Sequence, residues 1–135
     1  MTVTQKGVTS DWLATELDGN HAPSRENVTV AASQALVDGA VVSLNATGQI
    51  QAFTAAAAVD ASGDDPAVPR EVAIGIYVGE PVITGAAATA EGVIVARTAK
   101  VVAENLTWGA ALEAADIAAG LADLAAKDIT TVRSA

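Results

Sequence analysis

Short alternations of apolar and polar residues run through the middle of the chain, and a helical period replaces them near its end. Asn27 to Ala31 alternates as a strand does. Ala40 to Leu44 and Gln49 to Thr54 flank Asn45-Ala46-Thr47-Gly48, which predicts a β-hairpin with Gly48 at a position able to take positive φ. Ile50 and Phe53 do not fall on one alternation, so the register of the second strand stays open. Val72, Ile74, Ile76 and Val78 are expected on one face of a further strand, with Ala73, Gly75 and Tyr77 on the other. Both faces are apolar enough to be covered, and Gly75 marks a close neighbour or a bend. Gly92 to Thr98 is a β-branched run, apolar on both sides at Val93-Ile94-Val95, and Lys100 to Ala103 continues it or pairs beside it.

After Asn105-Leu106-Thr107-Trp108-Gly109 the spacing changes. Ile117, Leu121 and Leu124 recur at i, i+4 and i+7, while Asp116, Asp123 and Lys127 lie on another face. Glu113 and Asp116 stand near the start of this helix and Lys127 near its end, the order that the helix dipole favours. Trp108 reads as a core anchor where the helix begins, and Ile129 to Arg133 as a last short strand. Asp60 to Arg70 collects Asp, Ser, Gly and Pro, a surface-loop composition. Met1 to Arg25 is polar and mixed in charge, with one or two helical turns at most between Asp11 and Leu17. No repeat of solenoid length is present. The expected fold is α+β and mainly β: a small mixed β domain over residues 26–135 with one C-terminal helix, behind an extended N-terminal arm over residues 1–25.

A length of 135 residues fits one domain, and the formal charge of -9 repels phosphate backbones and anionic lipid. Nucleic acid and membrane are therefore not expected as partners. The absence of Cys excludes disulfides, thiol nucleophiles and Cys-based metal sites, and a single His, His21, excludes a multi-His site. The first twenty residues hold no apolar run of signal-peptide length, so synthesis and use without secretion are expected. Mean hydropathy is +0.38, but about a quarter of the chain is Ala, and the long uncharged stretch Gly39 to Val59 is broken by Ser43, Asn45, Thr47, Gln49, Gln51 and Thr54. Aromatics make up 3% of residues, so an aliphatic core gains less per residue than usual and a subunit interface would help.

Candidate chemistry is sparse. His21 sits beside Pro23 in the polar arm with nothing to fix its tautomer. Asp60, Ser62, Asp64 and Asp65 alternate oxygen ligands but lack the spacing of a calcium loop. Glu16, Asp18 and Glu26 lie on or beside the arm, which does not supply the rigid carboxylate pair a glycosidase needs. No nucleophile elbow, phosphate-cradling loop or zinc-protease helix motif occurs. Neither catalytic residues nor a cofactor or metal site is expected. Trp12 lies in the arm with no core of its own, and an aromatic so placed needs a pocket elsewhere.

An ordered series of motifs carries a resemblance. Ser24-Arg25-Glu26-Asn27-Val28-Thr29-Val30 leads into Leu36-Val37-Asp38-Gly39-Ala40-Val41-Val42. Val72-Ala73-Ile74-Gly75-Ile76, Val93-Ile94-Val95-Ala96-Arg97 and Leu106-Thr107-Trp108 follow before the Ala-rich helix and Ile129 to Arg133. Together they resemble the lambda-type bacteriophage head decoration proteins, with Gly109 standing where members often carry Pro.

The resemblance implies a homotrimer on the local three-fold axes of an expanded tailed-phage capsid, without enzyme activity. It implies the major capsid protein of the same phage as partner, a location on the outer surface of the head and synthesis in the host cytoplasm. It also implies that the N-terminal arm orders on the shell. Thr2, Val3, Thr4, Gln5, Val8, Trp12, Leu13 and Leu17 are the residues expected to make that contact. The competing reading, a carbohydrate-binding or adhesin-like β module, requires an exposed aromatic platform.

Overall fold

The computed structural model describes residues 12–16, 24–45, 47–54, 72–109 and 112–132. Its elements in chain order are β1 (Leu13–Glu16), β2 (Arg25–Val30), β3 (Ala35–Leu36), β4 (Val41–Leu44), β5 (Ile50–Ala52), β6 (Ala73–Val78), β7 (Val82–Ile83), β8 (Ala90–Val95), β9 (Ala99–Val102), α1 (Ala114–Ala125) and β10 (Ile129–Val132). Strands β2, β5, β4, β6 and β8 close into a barrel in that order. A second sheet, β1-β9-β10, has β9 at its centre, and β3 pairs with β7 in a two-stranded ribbon. The helix packs against β6 and β10.

The barrel strands carry apolar residues on both faces, as expected, and each face feeds its own cluster. Val30, Val42, Ile50, Tyr77 and Ile94 point into the lumen, where Leu36 joins them and Val82 packs alongside. Val41, Phe53, Ile76, Val78 and Val95 point outward and meet Trp12, Val101, Leu124 and Ile129 from the second sheet and the helix. The mismatch between Ile50 and Phe53 is thereby explained: they serve different clusters.

The hairpin β4–β5 forms where the pattern predicts it. Gly48 has φ of 84°, and the Asn45 side chain accepts the N–H groups of Thr47 and Gln49 at 3.0 and 2.9 Å. Simple alternation fails in β6. Val42 lies opposite Gly75 and Ser43 opposite Ala73, which leaves Ile74 as the extra residue of a β-bulge. Ala73 therefore joins Ile76 and Val78 on the outer face and Ile74 turns toward the lumen cluster, the reverse of the expected assignment for those two. The bulge frees the Ala73 N–H from the ladder, and it donates instead to the Asp123 carboxylate of α1 at 3.0 Å. Asp123, expected on the polar face of the helix, is a bridge between helix and barrel. Gly75 has the close neighbour expected of it: a Cβ there would lie 2.5 Å from the Val95 carbonyl oxygen.

The helix starts with a capping box, in which the Glu113 backbone N–H donates to the Asp116 carboxylate at 3.0 Å and the Glu113 side chain accepts from the Asp116 backbone. Lys127 falls just beyond its last turn. Trp108 anchors this end as expected, meeting Phe53 edge-on with ring centroids 6.2 Å apart. Gly120 turns its bare Cα to both rings; a Cβ would come within 2.8 Å of Trp108 and 3.0 Å of Phe53.

Candidate functional site

The first described residues sit where a free arm was expected, and they belong to the fold. Leu13–Glu16 is a strand rather than helical turns, because it runs antiparallel along β9 with Leu13 opposite Val101 and Glu16 opposite Ala99. The Trp12 carbonyl accepts the Val102 N–H at 2.6 Å. Trp12 is only 2% exposed and packs in the outer cluster of its own chain. The pocket that the indole needs lies within its own chain, among residues far from it in sequence.

The indole is held by a built contact. Its Nε1 donates to Asp38 Oδ2 at 3.1 Å, and Asp38 Oδ1 accepts the Gly79 N–H at 2.8 Å. Gly39, at φ of 92°, makes room: a Cβ there would stand 2.9 Å from Trp12 Cδ1. Asp38 and Gly39 went unsingled as partners of Trp12, although an Asp-Gly pair is a turn signal that places positive φ nearby.

At the other end of β1, Glu16 and Arg25 form a bidentate pair, Nε to Oε2 at 2.8 Å and Nη2 to Oε1 at 2.7 Å. This bond to Glu16 pushes the Arg25 pKa up, against partial burial. Arg97 reaches Glu26 at 2.9 Å. A shallow cleft of about 360 Å³ lies beside that pair, lined by Leu44, Ile74, Ile94, Ala96 and Lys127. Ser24 donates to the Thr98 carbonyl at 2.6 Å, which ties the start of β2 to the turn before β9.

Of the expected contact residues, only Trp12 and Leu13 are described; Leu13 is half-buried on β1. Thr2, Val3, Thr4, Gln5, Val8 and Leu17 lie outside the described residues, as do His21, Asp18 and the acidic stretch Asp60 to Arg70. Glu16 and Glu26, imagined as an acid–base pair, are each bonded to an arginine. Among the described residues no group of three or more His, Cys, Asp or Glu could hold a metal ion, and no helix is long and apolar enough to cross a membrane. All four aromatics are described: Trp12, Phe53 and Tyr77 are buried and Trp108 half-buried, so no aromatic platform faces outward.

A family model for bacteriophage lambda head decoration protein D matches residues 2–129. The chain belongs to that family. No individual curated protein matches it closely enough to add to this assignment. The family is a structural component of the phage head, and the resemblance drawn from the ordered motifs holds along nearly the full chain.

Proposed function

We propose that this chain is a structural virion protein that binds the outer surface of an expanded tailed-phage capsid as a homotrimer at local three-fold axes. There it cements the shell against the pressure of packaged DNA. The family match over residues 2–129 carries this reading. The enclosed aromatics weigh against the sugar-binding alternative, since no aromatic platform faces outward among the described residues.

In this reading the contact to the major capsid protein runs through Thr2, Val3, Thr4, Gln5 and Val8, with Leu13 at the start of the first strand and Leu17 next after it in sequence. Trp12 serves as the root from which residues 1–11 reach out. Eleven residues span at most about 36–40 Å, enough to cross onto a neighbouring subunit. Each arm gains little alone, since ordering a segment cancels about 2–5 kcal/mol of its contacts. Three arms on one trimer turn later contacts into intramolecular ones and raise avidity by about 10² to 10⁴.

The test is electron microscopy of heads assembled with and without the protein, paired with a variant lacking residues 1–11. Density on the outer surface at three-fold positions is expected, with weaker occupancy by the truncated variant. Density elsewhere, or equal heat resistance of heads without the protein, refutes the reading.

A further inference from the structure

The ribbon β3–β7 has two apolar faces and only one of them is covered. Ala35 pairs with Ile83 and Leu36 with Val82. Leu36 and Val82 turn inward and close the lumen of the barrel. By strand alternation Ala35, Val37, Pro81 and Ile83 turn outward. All four are exposed, Ile83 at 84% and Val37 at 43%.

This face is stiff. Thr84 Oγ1 donates to the Ala31 carbonyl at 2.6 Å and accepts the Gln34 N–H at 2.8 Å. Thr84 N–H donates to the Gln34 carbonyl at 2.8 Å and Ser33 N–H to the Gly85 carbonyl at 3.0 Å. The loops that frame the ribbon are thus bonded to each other, and an ordered apolar face costs little further entropy when it is covered.

It is also free of charge. Ala31 to Val37 and Pro81 to Ala90 contain no Asp, Glu, Lys or Arg, in a chain whose formal charge is -9. Identical acidic copies repel one another wherever acidic surface meets acidic surface. On a three-fold axis the constraint is sharper, because any residue near the axis meets its own copies and a charge there meets itself. Among the described residues the other exposed large apolar side chains, Leu44 and Val72, have no such setting: Leu44 lines the cleft with Glu26, Arg97 and Lys127, and Val72 follows Glu71.

We infer that the outer face of the β3–β7 ribbon, with Ile83 at its centre, packs against second and third copies of this chain close to the trimer axis. Glu80 stands at its edge beside Pro81, and the Asp38 carboxylate beside Val37 is engaged by the Trp12 indole and the Gly79 N–H. An apolar centre inside a polar rim is the arrangement in which a few side chains hold an interface. The inference rests on the homotrimer reading above and locates its contact.

Ile83→Glu puts a carboxylate on the axis without entering the core. In velocity sedimentation over a concentration series the unaltered protein is expected to assemble into trimers that I83E does not form, with unchanged circular dichroism, and only the unaltered protein's thermal midpoint should rise with concentration. A trimer from both overturns the placement and leaves the homotrimer reading standing. A monomer at every concentration together with density on heads that is not grouped in threes overturns that reading and this inference with it. I83E that stays trimeric but no longer binds heads assigns the face to the capsid and overturns the inference. Because the chain has no cysteine, Ile83→Cys also supports a direct measurement: a short three-armed maleimide is expected to give covalent trimers. Complete labelling without cross-linked species overturns the placement.

Discussion

The lumen cluster and the outer cluster share the same barrel wall but are assembled by different rules. The lumen is filled by neighbours on adjacent strands, Val30, Val42, Ile50, Tyr77 and Ile94, which period-2 alternation brings together wherever the strands pair. The outer cluster joins Trp12, Phe53, Leu124 and Ile129, which lie on or beside four separate elements and meet only when the second sheet and the helix dock. Three of the chain's four aromatics, Trp12, Phe53 and Trp108, serve the outer cluster, and glycines let two of its contacts close. Large rings bridge gaps between elements that aliphatic residues would leave open.

The difference is open to attack at its largest point. Trp12→Ala is expected to cost about 3–5 kcal/mol, the usual range for emptying a buried large aromatic site, measured by urea unfolding. In hydrogen exchange the amides of β1, β9 and β10 should lose protection before those of β2 and β8. Uniform loss across both sets would show that the clusters are one cooperative unit.

Gly75→Ala attacks the shared wall instead. The new Cβ would meet the Val95 carbonyl at 2.5 Å, and a cost near 3 kcal/mol is expected, the upper part of the overpacking range. Both halves of the exchange pattern should weaken together.

Asp123→Ala removes the acceptor of the Ala73 N–H at the bulge. A loss of about 2 kcal/mol is expected, as for a part-buried donor left without its charged partner. Asp123→Asn should recover part of it; equal loss from both variants would mean that the bond contributes through charge alone.

Tyr77 tests the lumen by pH. Burial, then the charges of Asp38 and Glu80, push its pKa up, and its hydroxyl donates to the Glu80 carbonyl at 2.6 Å. A raised folded-state pKa gives stability that is complete below the unfolded value, about 10, and lost as pH rises through the higher folded one. The thermal midpoint should fall in that alkaline window as tyrosinate absorbance appears, and Tyr77→Phe should flatten the fall.

The smallest effect is expected at the turn before β9, where Thr98 holds φ of 43°. A β-branched residue is strained there, so Thr98→Gly should stabilise by about 1 kcal/mol. A decrease in stability would show that its side chain contributes more than the strain costs.

Alternation and helical spacing sufficed for β2, the β4–β5 hairpin, β6, β8, β9, α1 and β10, since each buries a face defined by residues close in sequence. Gly48 was readable for the same reason, since it answers a backbone requirement within its own turn; Gly75 signalled a close neighbour, which only the pairing of β6 with β8 identifies as Val95. The faces of β6 were misread, because a bulge inserts one residue and nothing local marks where the register slips. The ribbon β3–β7 escaped notice as well, being two residues long on each side, too short for any period to register.

The family and its structural role were carried by the order of small motifs from Ser24 to Arg133. Where Trp12 goes was another matter. An indole in a polar segment reads the same whether its pocket lies on a capsid or on its own domain. The choice was made by Asp38, Gly39 and Val102, residues far along the chain that only folding brings to it. Local pattern specifies which face of an element is apolar; what covers that face depends on contacts between distant segments.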